Sequence, residues 1–428
     1  MDKITALGRT NFRSFNKRFG IKENDRFGHI YTIGKTGVGK STLLLNMAVS
    51  DLENGNGFCV IDPHGDISED ILKYVPEHRI EDVIYFKPSN PDFCIPFNPL
   101  KGIHPNFHHL VASGIVATFK KIWVDSWGPR MEHVLRFSLL TLLNYPDATL
   151  LDIQPLLTDQ EFRAHVLSYV SDTHLRSFWL QEFQKFSPQM KSEVIAPILN
   201  KIGLLHASVP LRNVVGQKTR GFRMQEVMDG RKILIANLAK GELGEDAASL
   251  LGAILVTSIQ LAALHRARQE EAKRVPFYLY IDEMHSFVTL SFADILAEAR
   301  KYRLSLFLTH QYVEQLDEKI RHAILGNVGT LIAFRVGAED AAYLKKEFEP
   351  TFLEEDLVNL PKYGMYIKLL IDGATSRPFS AYSLPKPALS TNQKQVVLAG
   401  CKKRSSRFVN RQQQESYPLQ EKKLKLFD

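Results

Sequence analysis

The sequence predicts an α/β fold whose mostly parallel central sheet is interrupted by an all-helical block, and three observations carry that reading. Apolar runs at 28–33, 57–62, 82–87, 232–238, 277–282, 304–309, 330–336 and 365–371 alternate with helical stretches such as 250–268, 292–302 and 339–348. Several of these runs are continuously apolar, as strands covered on both faces should be. Residues from about 104 to 225 break the rhythm and contain no convincing strand. Strand–helix alternation implies parallel pairing, because parallel neighbours need a crossover connection.

Taken in chain order, residues 1–27 place Ile4, Leu7, Phe12, Phe15 and Phe19 near helical spacing among Arg9, Arg13, Lys17 and Arg18. That pattern predicts a basic amphipathic helix, docked on its own domain or on a neighbouring subunit rather than on a membrane. Residues 28–103 form the first part of the α/β domain. The strand at 28–33 feeds Gly34-Lys35-Thr36-Gly37-Val38-Gly39-Lys40-Ser41, which matches G-x-x-x-x-G-K-[ST], and a breaker-free helix follows from Ser41 and Thr42. This context makes the match a phosphate-binding loop for ATP. Its glycines let backbone N–H groups turn inward as a nest, Lys40 reaches the β/γ-phosphates, and Ser41 offers its hydroxyl to Mg²⁺. The helix adds the positive end of its dipole.

Residues 104–225 read as an all-α insertion, entered through Pro96, Pro99 and Pro105 and left through Gly216 to Gly221. Its helices are expected at 131–143, 159–170, 173–186 and 193–205. His104, His108, His109 and His133 lack a cysteine at ligand spacing and read as solvated or core histidines rather than a metal site.

Residues 226–385 complete the α/β domain. The run at 277–282 is an apolar strand ending in Asp282 and Glu283. A strand-end aspartate beside a phosphate loop holds the Mg²⁺ shell, and an adjacent glutamate can activate water, so Asp282 and Glu283 take those roles. The next strand ends in His310-Gln311. Gln311 either senses the γ-phosphate or caps the following helix. Arg300, Lys301 and Arg303 end the preceding helix, where they complement its dipole or, in the case of Arg300, supply an arginine finger to a neighbouring subunit.

The 428 residues are 44% hydrophobic, enough for a large core. Cys59, Cys94 and Cys401 are far apart and form neither a zinc motif nor a disulfide framework, which suits a reducing, cytoplasmic setting. The longest apolar stretch, 250–264, is interrupted by Ser258 and Gln260 and falls short of a membrane span, so a soluble protein is expected. The net charge of +7 is terminal: residues 386–428 hold 10 Lys/Arg against 3 Asp/Glu, and residues 1–29 hold 7 against 3. The C-terminal tail, 386–428, is therefore either a contact for a polyanion or a solvated appendage.

The phosphate loop, Asp62-Pro63-His64-Gly65-Asp66, Tyr280-Ile281-Asp282-Glu283, Glu298-Ala299-Arg300-Lys301-Tyr302, Gln311, and Gly326 to Thr330 with Phe334-Arg335-Val336 together resemble the HerA/FtsK-type DNA-pumping ATPases. Within them the chain looks most like the coupling proteins of type IV secretion and conjugation. The resemblance covers most of residues 27–385 and implies a RecA-like P-loop NTPase domain with an all-α insertion. It further implies a hexameric ring that threads DNA while hydrolysing ATP with Mg²⁺. Arg300 matches the trans-acting arginine, with Arg335 as second choice, while Asp62 and His64 match the family string without a chemical role. A relaxase, a nuclease or a secretion channel could receive the DNA. Coupling proteins of conjugation usually carry N-terminal membrane helices, and none is read here, which leaves recruitment to the inner face of the membrane open. Two other readings stand beside the translocase: a nucleotide-switched docking or assembly ATPase for secretion partners, and a HerA-like helicase partner in DNA end processing or defence.

Overall fold

A computed structural model describes residues 3–12, 16–389 and 392–415. Its strands in chain order are β1 Ile4–Thr10, β2 Arg18–Lys22, β3 Ile30–Ile33, β4 Gly57–Asp62, β5 Val83–Phe86, β6 Ile233–Asn237, β7 Phe277–Ile281, β8 Leu304–His310, β9 Thr330–Ala333, β10 Gly364–Lys368, β11 Leu370–Ile371, β12 Ala374–Thr375 and β13 Phe379–Ser383. Apart from the small β11–β12 hairpin, they form one 11-stranded sheet in the order β2-β1-β13-β10-β9-β3-β8-β7-β4-β6-β5. From β9 through β5 every pairing is parallel. The other end, β10, β13, β1 and β2, is antiparallel.

Side chains of the central strands alternate between two cores. Cys59 and Ile61 of β4 and Phe277, Leu279 and Ile281 of β7 face one, shared with the helix Glu245–His265 and with the helical segment. Phe58 and Val60 of β4 and Tyr278 and Tyr280 of β7 face the other, covered by the helix Lys40–Glu53. Both faces are apolar, which is why the strands read as continuous runs.

The N-terminal segment corrects the expectation of an amphipathic helix: it is the strand pair β1–β2, with β1 also hydrogen-bonded to β13. Thr5 and Leu7 are buried while Ile4 is 58% exposed, a period of two in place of 3.6. Gly8 and Gly20 also disfavour a helix interior and permit close pairing, since a Cβ on Gly20 would lie 2.2 Å from the Thr5 carbonyl oxygen. Arg13 and Phe15, part of the predicted stripe, lie outside the described residues.

Among the described residues no strand falls between β5 and β6, and helices fill the interval. The first, His108–Ile122, had no counterpart in the sequence reading. It packs on Glu245–His265 so closely that a Cβ on Gly114 would sit 2.4 Å from Thr257 Cγ2. Pro129–Leu142, Gln160–Leu167 and Pro188–Ala207 follow near the expected positions. The single helix expected at 173–186 is instead one α-turn at Thr173–Ser177, a π-helical stretch at Phe178–Glu182 and a 3₁₀ turn at Phe183–Lys185. The wider turn seats Phe178 against Phe137, ring centroids 4.2 Å apart, while the Trp179 indole donates to Thr141 Oγ1 at 2.8 Å.

The segment Glu245–Arg268 is long and apolar enough to cross a membrane, and 72% of its apolar window is buried inside the protein. The C-terminal tail is not a loose appendage through its described side chains. It forms the helix Lys394–Glu415, with Val397 and Cys401 buried. Arg404 donates to the carbonyls of Ile80 and Val83, at 3.1 and 2.8 Å, and pairs with Glu81. Lys394, Lys386 and Lys402 pair with Glu69, Asp70 and Asp92. Four of the tail's ten Lys/Arg, Lys386, Lys394, Lys402 and Arg404, are therefore matched by acids of the same chain. Residues 416–428 lie outside the described residues.

Candidate active site

Parallel register assembles the site. Ile33 lies opposite both His310 and Ala333, Ile281 opposite Leu308, and Ile61 opposite Ile281. The residues just past those pairs therefore share the carboxyl edge of the sheet: Gly34 after β3, Asp62 ending β4, Asp282 and Glu283 after β7, and Thr309, His310 and Gln311 at β8. Ligands of open α/β sheets bind at this edge.

The loop Gly34–Ser41 runs from β3 into the helix Lys40–Glu53. Gly37 and Gly39 adopt φ of +76° and +126°, a range that side-chain-bearing residues rarely occupy. A Cβ on Gly39 would also meet the Tyr363 ring at 2.9 Å. Lys40 is 6% exposed and donates to the carbonyls of Gly34 and Lys35, at 2.5 and 3.1 Å, so its amine is folded back over the loop. Burial pulls its pKa below the usual amine range, against the opposing pull of Glu283 and Asp282. Thr36, Gly37, Gly39, Ser41 and Thr42 line the same cleft as Asp282, Glu283 and Gln311. Lys35 and Val38 face elsewhere: the Lys35 amide donates to the Arg335 carbonyl at 2.9 Å, and Val38 is a core residue.

Asp282 accepts a 2.5 Å hydrogen bond from Thr309 Oγ1. Burial, only partly offset by that bond, pushes its pKa up to about 6, with Asp62 and Glu283 adding like charge. Glu283 sits in the left-handed region at φ +47°, a strained conformation for a non-glycine residue and of the kind that gathers at functional sites. Its Oε1 accepts from Gln311 Nε2 at 2.7 Å, and Gln311 Oε1 accepts from Thr36 Oγ1 at 3.0 Å. Gln311 thus links the phosphate loop to Glu283 rather than capping a helix. The second oxygen, Oε2, is buried without a hydrogen-bond partner; the nearest cationic or imidazole nitrogen is His285 Nδ1, 3.5 Å away. Buried carboxylates short of compensating charge, facing a nest of N–H groups, suit a magnesium–triphosphate.

Asp62 has a structural task. It accepts from the amides of His64, Gly65 and Ser68 at 2.8–3.0 Å, which fastens the turn into the helix Asp66–Ile71. His64 lines the cleft. Of the two arginines, Arg335 follows β9 at the same edge as the phosphate loop, whereas Arg300 precedes β8 at the opposite edge. Seven strand residues separate Arg300 from Gln311, roughly 20 Å, so it cannot serve its own site. It is exposed and close enough to His29 to help burial lower that imidazole's pKa to about 4.

Sequence reasoning passed over Thr309, His285 and Tyr363. Thr309 follows Leu308, the partner of Ile281, so strand register would have placed it beside Asp282. Tyr363, at φ +68°, donates its amide to the Val38 carbonyl from a loop far along the chain, and no local signal marks it.

Among solved structures, the bacterial conjugative coupling protein TrwBdeltaN70 aligns with a TM-score of 0.63 at 14% identity, covering 88% of each chain. The plasmid coupling protein TrwB in complex with the non-hydrolysable ATP analogue ADPNP aligns at 0.63 and 15%, covering 90% of this chain and 91% of that one. VirB4 of Thermoanaerobacter pseudethanolicus aligns at 0.59 and 15%, covering 89% and 96%. At these identities the likeness establishes the fold. No curated protein sequence matches significantly. A family model for the type IV secretion-system coupling protein DNA-binding domain matches residues 19–360, most of the chain, and the protein belongs to that family.

Proposed function

We propose that the chain is a Mg²⁺-dependent ATPase that drives DNA through a homo-oligomeric ring, hexameric by resemblance, as a coupling protein of type IV secretion or conjugation working at the cytoplasmic face of a membrane. The single observation that supports this most is Glu283 Oε2: a buried carboxylate oxygen without a hydrogen-bond partner, on a strained backbone, at the mouth of a phosphate loop. Lys40 and the loop amides bind the phosphates, while Ser41 and Asp282 hold the metal. Mg²⁺ neutralises charge on the phosphates when bound. Glu283 takes a proton from the attacking water at Oε2, and Gln311 holds its Oε1 in place. Arg300 serves a neighbouring subunit. We read residues 104–225 as the insertion that meets DNA or cargo and 28–103 with 226–385 as the motor.

The test is the Glu283→Gln variant, which keeps size and removes the base. It is expected to bind ATP as the wild type does, measured with a fluorescent analogue, and to lose hydrolysis by about 100-fold or more. Wild-type turnover in this variant would overturn the assignment.

A further inference from the structure

We propose that Lys121 is a positioning residue for the Glu283 carboxylate, fastening the loop behind Glu283 to the helix His108–Ile122. This inference rests on the reading of Glu283 as the base.

The loop 284–288 leaves Glu283 as a single 3₁₀ turn, Met284–Ser286. Its inner side is fixed by packing, with Met284, Phe287 and Val288 buried and Phe287 against Gly252 of the core helix. Its outer side depends on two lysines. Lys121 Nζ donates to the carbonyls of His285 at 2.5 Å and Val288 at 2.6 Å, spanning the loop from end to end. Lys240 Nζ donates to Ser286 Oγ at 3.0 Å.

Lys240 also has a carboxylate partner, Glu245, at 3.1 Å. Among the described residues no carboxylate lies within ion-pair distance of Lys121. Burial, with Lys240 adding like charge, pulls the Lys121 pKa down to about 7. A partly buried amine held only by carbonyls is costly, and here the carbonyls belong to the loop that carries the imidazole facing Glu283. His285 Nδ1 lies 3.5 Å from Glu283 Oε2, so a shift of the loop moves the one ring beside the free oxygen.

Lys121 reaches the loop from the long crossover that joins β5 to β6. Its helix belongs to the helical segment, and Gly114, two turns earlier, sets that helix's height on Glu245–His265. A partner that displaces the helical segment would therefore pull on the backbone next to the base. The tether is two parallel hydrogen bonds from one amine, followed by the His285–Glu283 contact.

The test compares the wild type with Lys121→Met and Lys121→Arg, after melting curves confirm that each folds. Hydrogen exchange of the nucleotide-free protein is read over 283–288. Exchange there is expected to rise at least about tenfold in Lys121→Met, with β7 and β8 unchanged, and to return toward wild type in Lys121→Arg. In steady-state ATPase assays kcat is expected to fall about 10- to 100-fold with KM within about twofold, the size of loss that follows misplacement of a catalytic group by about 1 Å. Unchanged exchange over 283–288, or parallel loss of kcat and affinity with global destabilisation, would overturn the proposal. If Lys121→Met does not fold, His285→Gln decides: it should lower kcat with KM held, and an unchanged kcat would contradict the route. A wild type without Mg²⁺-dependent ATPase would sink the functional reading instead, and the exchange arm would still judge the Lys121 tether by itself.

Discussion

Lys40 and Glu283 separate two kinds of failure at the scale of single residues. Lys40→Ala removes the side-chain charge that the loop directs to the phosphates, so nucleotide binding and hydrolysis should fall together, measured by equilibrium binding and phosphate release. Thr309→Val tests the Asp282 shell. It removes a 2.5 Å donor from a buried carboxylate without changing shape much, a loss of about 1–3 kcal/mol for the unpartnered oxygen, and it should raise the Mg²⁺ concentration needed for half-maximal ATPase. The charged members of this site were legible because their types and spacing carry the chemistry. Thr309, His285 and Tyr363 were not, because their positions depend on strand register and on a distant loop. A threonine one residue before His310 has no signature until Ile281 is known to sit opposite Leu308.

At the scale of elements, the continuous apolar strands β3, β4, β6, β7 and β8 were readable because both sheet faces are covered, so each strand needs no alternation to be recognised. The N-terminal end of the chain was misread for a different reason. β2 is the edge strand and β1 its only neighbour before β13, the alternation in both is weak, and basic residues between apolar ones satisfy helical spacing by coincidence until β13 supplies hydrogen bonds to β1. The tail's charge reads as a polyanion contact or a solvated appendage, and the second does not hold for its described part, where Lys394, Lys386 and Lys402 are matched by Glu69, Asp70 and Asp92. Val397→Asp should therefore destabilise the fold by about 2–4 kcal/mol, since it places a carboxylate on a fully buried position, and melting curves would show it. Docking of this helix should also depend on pH. Burial pushes Glu69 and Asp70 up, but hydrogen bonds and charge from Lys394 and Lys386 outweigh it and hold both below the usual carboxylate range. Groups with depressed folded-state pKa values stabilise above their unfolded values, about 4, and lose that contribution as pH falls through the folded ones. Hydrogen exchange in Lys394–Glu415 should accelerate below about pH 4 before the central strands respond.

For the molecule as a whole, Arg300 lies at the sheet edge opposite the phosphate loop, so the proposed finger would have to act on a neighbouring subunit. Arg300→Ala is expected to bind ATP normally and lose turnover by about 10³-fold. Mixed with Lys40→Ala subunits, after native mass spectrometry confirms mixed oligomers, it should regain part of its activity, because some interfaces then join an intact loop to an intact arginine. Mixed rings as inactive as either parent would move the role to Arg335. The most direct test of the account is the Mg²⁺-dependent ATPase rate of the purified protein without DNA and with single- or double-stranded DNA. A DNA motor is predicted to hydrolyse ATP several-fold faster with one of the two strand forms, and Glu283→Gln should stay inactive in every condition. A rate that neither form of DNA changes would contradict the motor and favour a docking ATPase.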